Sequence, residues 1–132
     1  MDKFKNLIVL GPLIYAIHHL EEHTIFNFIE WKLQYFYHSA AALSTEAILA
    51  ILTCILVTFA LLHLVKNDRA SAHVILFMLF AIQVINAFYH IFFSFYFSDF
   101  SPGAITAALL YLPVNFLIAQ AAFREGYLKS YF

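Results

Sequence analysis

Residues 6–31 read NLIVLGPLIYAIHHLEEHTIFNFIEW, an oily run interrupted at positions 18–23 by HHLEEH. Histidines and adjacent glutamates in such a run are costly if lipid surrounds them, so they must face away from lipid or carry a function that offsets the cost. A secretory signal peptide would show a small-x-small cleavage site after the apolar stretch; HHLEEH stands there instead, and further apolar segments follow. The run is read as a retained transmembrane helix.

Composition agrees with that reading. Of 132 residues 64% are hydrophobic and 11% charged, with a mean hydropathy of +0.82, values that belong to membrane proteins. Sixteen Phe and eight Tyr suit surfaces that face acyl chains or a hydrophobic ligand. A net charge of -1 with no basic stripe leaves no footprint for nucleic acid. The single cysteine, Cys54, lies in an apolar run without a disulfide partner and is read as a small core residue.

A span needs about 20 largely apolar residues. Segments near 6–29, 40–65, 72–97 and 104–122 qualify, separated by short polar breaks. The expected fold is all-α: one transmembrane domain over residues 1–132, an integral membrane four-helix bundle with up-and-down topology. Lys3, Lys5, Lys66, Arg69, Arg124 and Lys129 fall on one side of these spans and Lys32 on the other, with Trp31, Tyr35 and Tyr37 as interfacial anchors. Positive residues mark the inner side, so a multi-pass protein of the cell membrane with both termini cytoplasmic is expected.

The polar residues meet at one depth. At about 1.5 Å per residue, His18 and Glu22 on span one, Glu46 on span two, and Asn86 and His90 on span three all reach the outer half of the membrane. On a helical wheel His18, Glu21 and Glu22 share one arc, and Gln83, Asn86 and His90 form one stripe. His19 and His23 lie off the main arc and are placed at the rim. Around Glu46, the small residues Ala42, Ala50 and Thr53 would let helices approach closely. Gln83, Asn86, Thr53 and Thr106 are candidate interhelical hydrogen-bond partners, with Asn86 and Thr106 also candidate binding residues. His38, His63 and His73 are read as interfacial and Glu30 as solvated.

His18-x-x-Glu21-Glu22 resembles the signature of the HXXEE-motif family of small prokaryotic membrane proteins. Asn86-x-x-x-His90 and the turn Ser101-Pro102-Gly103-x-x-Thr106 resemble that family's later pattern, so the resemblance spans nearly the whole chain. It implies the membrane fold and the polar site, and it brings no reaction with it.

The site's chemistry follows from its residue types. Imidazoles and carboxylates projecting from facing helices are how non-haem metal sites are built. His18 and Glu22, one turn apart, can reach one ion, and His90 can supply a third ligand and leave a position open. Glu21 and Glu46 are then the candidate catalytic residues, as bridge to a second ion or as general base. A divalent metal, zinc or iron, would compensate the buried charge. Without a metal, the same carboxylates could act as acid and base on a lipid-soluble substrate, as in an isomerase or cyclase. Proton- or ion-coupled transport is the third reading.

Span one reads NLIVLGPLIYAI and span three HVILFMLFAI on the cytoplasmic side, with no polar stripe continuing through, which favours chemistry over transport. Leu13, Leu79 and Leu117 are expected to plug the bundle beneath His18. Pro12 and Pro113 are expected to bend spans one and four. The favoured reading is a metal-dependent enzyme acting on a lipid-like or membrane-soluble molecule. Membrane lipid and a hydrophobic small molecule are the expected partners, and self-association into a homo-oligomer stays open.

Overall fold

The computed structural model describes residues 2–36 and 43–129. The described residues form helices joined by short turns, with no strand among them. Helix α1 covers residues 3–25, made of Lys3–Ile8, a turn at Val9, Leu10–Leu20 and a π turn at Glu21–Ile25. The turn at Val9 sits where Pro12 withholds the N–H that the carbonyl of Ile8 would otherwise meet. At the start, Asp2 accepts from Lys5 N at 3.2 Å and satisfies one of the unpaired first-turn donors.

The remaining helices are α2 (Phe28–Tyr35), α3 (Thr45–Lys66), α4 (Arg69–Tyr96) and α5 (Ala104–Arg124). Asn27, Ser44 and Asp68 cap α2, α3 and α4 by accepting from Glu30 N, Ala47 N and Ser71 N. Asn67, at φ 50°, ends α3 in the left-handed conformation, and with Asp68 it turns the chain straight into α4. Such a short connection makes α3 and α4 an antiparallel pair. Helix α1 packs against α3 and α5, and α4 against α3 and α5.

Three helices, α3, α4 and α5, are long and apolar enough to cross a membrane. Their bounds shift the predicted spans by a few residues. The first predicted span, near 6–29, stops earlier than expected: the backbone turns extended at Phe26 and Asn27 caps a separate helix. The second begins at Thr45 because Ser44 supplies its cap. Residues 40–42, along with Tyr37 and His38, lie outside the described residues.

The core runs along the centre through Phe4, Ile8, Ile14, Leu56, Ile75, Leu79, Tyr111 and Ile118. Gly11 admits a close approach there, since a Cβ on it would lie 2.7 Å from Leu79 Cδ2. Gln83, fully buried, donates from Nε2 to Gly11 O at 2.8 Å and accepts from Asn115 Nδ2 at 2.8 Å, tying α1, α4 and α5 together. At the far end, Phe4 N donates to Glu125 Oε1 at 3.1 Å and joins the chain's two ends.

Several expected positions differ. Leu79 is buried as expected of a plug, but Leu13 and Leu117 point outward. Cys54 is exposed on α3 rather than in the core. His63 is fully buried, its Nδ1 donating to Ser71 Oγ at 2.9 Å, because that hydroxyl already gives its hydrogen to Asp68 O. His73 is exposed and donates to Tyr127 O. Trp31 is buried against Phe28, while Tyr35 donates to Asp99 Oδ2 at 2.6 Å and stacks on Phe97, so α2 is fastened across the end of α4.

Candidate metal centre

The site forms where α1, α4 and α5 meet, and each of these helices carries a π turn: Glu21–Ile25, Phe80–Val84 and Ala107–Tyr111. A π turn inserts an extra residue and rotates every side chain beyond it, a device common at functional sites. In α5 it directly precedes Leu112-Pro113, where proline withholds a helical N–H. Nothing in the helical period of the sequence marks the other two.

His18, Glu22 and His90 come together. Glu22 Oε1 lies 3.0 Å from His18 Nε2 and 2.7 Å from His90 Nε2, and one ligand atom from each residue falls within 4.8 Å of the others. His90 is fully buried and His18 nearly so. The rings are set edge to face, 5.0 Å between centroids. These are the three residues expected to hold a metal.

Glu21 does something different from its neighbour. Its carboxylate accepts from Ile105 N at 3.0 Å, Thr106 N at 2.8 Å and Thr106 Oγ1 at 2.5 Å. Gly103, at the N-cap of α5, has no side chain to satisfy those donors, so Glu21 caps the helix from across the interface. Both oxygens are engaged, which leaves it poorly placed to act as a general base or to bridge ions. Glu46 also departs from expectation: it is exposed in the first turn of α3 and belongs to neither group that could hold a metal. The helix starts at Thr45, so its carboxylate sits at the favourable N-terminal end in contact with solvent rather than in the core. Ala50, on the same face, is exposed, and Ala42 lies outside the described residues.

The Thr106 hydroxyl fixes a tautomer. Its hydrogen goes to the Glu21 carboxylate, so it accepts from His18 Nδ1 at 2.7 Å, and Nδ1 carries the proton. In the neutral ring Nε2 is then a bare lone pair facing an oxygen of Glu22. His90 meets α5's approach loop through Nδ1, which lies 2.8 Å from Ser101 Oγ. Its buried Nε2 makes no hydrogen bond, despite the short distance to Glu22. A bare His18 Nε2 and a carboxylate oxygen 3.0 Å apart need a cation between them, either a proton or a metal ion.

Gly103 closes the site from the α5 side. At φ 104° it takes a conformation that favours glycine, and a Cβ there would lie 2.8 Å from His90 Cε1, 2.9 Å from His18 Cε1 and 3.0 Å from Glu22 Cγ. The turn Ser101-Pro102-Gly103-x-x-Thr106 thus supplies a partner for His90, room for the ligands and a partner for His18.

Residues 9–118 match the family described as "Protein of unknown function with HXXEE motif". The chain belongs to the HXXEE family. No curated protein and no solved structure matches it. In the HXXEE signature, His18 and Glu22 face the centre, while Glu21 fastens α5 and, through Thr106, orients His18.

Asn86 lines the cavity beside the centre, and its buried Oδ1 makes no hydrogen bond. Two residues assigned to the rim lie close to Glu22. His23 Nε2 lies 3.2 Å from Glu22 Oε2, and the His19 and His23 rings are 4.5 Å apart. The sequence does carry a signal for them: His19-x-x-Glu22-His23 has the H-x-x-E-H spacing in which histidines one turn apart hold zinc.

Proposed function

We propose that the protein is an integral membrane four-helix bundle, with α1 as its fourth span, that binds zinc or iron at His18, Glu22 and His90 and acts as a metal-dependent enzyme on a lipid-like substrate. The observation that carries the metal reading is the convergence of His18 Nε2, His90 Nε2 and Glu22 Oε1, with His18's proton held on the opposite nitrogen by Thr106. Two imidazoles and one carboxylate fit both a three-ligand zinc site and the facial triad of non-haem iron(II). Either ion would polarise a bound oxygen or lower the pKa of a bound water.

The membrane reading of α1 is supported by its outer face. Val9, Leu13, Ile17 and Leu20 recur every three or four residues and are exposed, while Ile14, His18, Glu21 and Glu22 point inward. Apolar outside and polar inside is the arrangement lipid requires. By the lysine and arginine count, both termini lie in the cytoplasm and the metal centre in the outer half.

A cavity of about 500 Å³ adjoins the centre, with His18, Glu22 and Asn86 on its polar side and Phe28, Ile48 and Leu52 among its apolar walls. Apolar walls with a few convergent polar groups suit one end of a lipid-like molecule. On the cytoplasmic side Ile14, Leu79, Tyr111 and Ile118 pack together, and the buried Gln83 and Asn115 bond to each other and, through Gln83, to Gly11 O, which favours chemistry over transport.

The test is metal analysis of protein purified without chelator, with melting temperature followed as zinc or iron(II) is added to chelated protein. One tightly held ion per chain, lost in His90→Ala, is the expected result. No stoichiometric metal and no thermal shift would refute it. The cation between His18 and Glu22 would then be a proton, and the metal-free acid–base reading would take its place.

A further inference from the structure

We infer that Glu22 is a bridging carboxylate and that His19 and His23 form with it a second divalent-cation site, open to the cavity. The inference rests on the metal reading of His18, Glu22 and His90 and extends it. Glu22 divides its two oxygens between two sets of imidazoles. Oε1 faces His18 Nε2 and His90 Nε2 at 3.0 and 2.7 Å, and Oε2 faces His23 Nε2 at 3.2 Å. His19, Glu22 and His23 each offer a ligand atom, all within 4.8 Å of one another. No other described carboxylate stands between two groups of histidines in this way.

The local fold explains how one residue serves both. His19 and His23 are four apart and share a helix face, as do His18 and Glu22. By helical rotation Glu22 lies between His18 on one side and His19 and His23 on the other, and the π turn that begins at Glu21 keeps it there. A carboxylate bridging through both oxygens holds two ions at about 3.5–4 Å, the separation of two-metal hydrolytic and transfer sites.

The two positions differ in access. His90 is fully buried and Gly103 closes that side, so the first site meets the cavity only through His18 and Glu22. His19 and His23 are half-buried and both line the cavity, so an ion there keeps coordination positions open to water or substrate. The second ion is therefore the weaker, exchangeable one. It stands where a polar group of the bound molecule would meet it.

The experiment uses the full chain in detergent, stripped of metal by chelator and titrated with zinc chloride, with bound zinc counted per chain after desalting and by calorimetry. Wild type should take up two ions, the second at least tenfold weaker. His19→Ala/His23→Ala together, and the milder His23→Gln, should keep the tight ion and lose the weak one. His73→Ala, an exposed histidine on α4, should change neither. A single tight ion in wild type, unchanged in the His19 and His23 variants, would overturn the second site and leave the first standing. Two ions that persist in those variants would overturn it as well. No bound zinc at all would remove both readings.

Discussion

Glu21→Gln should separate the roles of the adjacent glutamates. The amide oxygen, turned toward Thr106, can still accept from Thr106 N and Oγ1, but the amino group then opposes the N–H of Ile105. One charge-assisted hydrogen bond is lost, worth about 1.5–3 kcal/mol. Removing the negative charge from the N-terminus of α5 costs roughly a further 0.5–1 kcal/mol. Together these amount to about 2–4 kcal/mol, or a fall in melting temperature of about 8–16 °C for a chain of this size. Glu22→Gln leaves the α5 cap intact, so the metal-free protein should melt closer to wild type while zinc no longer raises its stability. Thermal unfolding in detergent of wild type and both variants, metal-free and with added zinc, measures these differences. If metal-free Glu21→Gln melts within about 2 °C of wild type, Glu21 does not hold α5 and the assignment is wrong. If Glu22→Gln still gains stability from zinc, Glu22 is not a ligand.

Three further outcomes are expected. Gly103→Ala should lower stability by about 1–3 kcal/mol through its positive φ and lose tight metal binding, because its Cβ would meet His18, His90 and Glu22; unchanged metal affinity would refute this. Gln83→Ala should cost about 1–3 kcal/mol with metal affinity within a few-fold of wild type, since Asn115 Nδ2 keeps its bond to Tyr111 O; thermal unfolding and zinc titration measure the two effects. A reporter fused after Phe132 should be active only in the cytoplasm, and activity on the outer side would reverse the assigned orientation.

Much of the site is written in one stretch of sequence. HHLEEH inside an apolar run demands a face turned from lipid, and the one-turn spacing of His18 and Glu22 puts them on that face whatever the neighbours are. Counting residues from the helix ends brings His90 to the same depth. The long apolar runs likewise determine helices able to cross a membrane, because length and hydropathy are local properties. What the sequence leaves open is rotation and partnership. Glu21 and Glu22 look alike in the motif, and only the arrival of the α5 N-terminus, 84 and 85 residues along the chain, turns one into a helix cap and leaves the other at the centre. His19 and His23 border Glu22 by their spacing, but packing decides that its second oxygen turns to His23 while the first meets His18 and His90, and Glu46 falls outside because α3 begins just before it. Leu13 and Leu117 were equally apolar whether they faced lipid or core; packing alone turned them outward. Backbone period and hydropathy are fixed residue by residue, whereas the direction of a side chain and the donor it meets depend on how the helices pack.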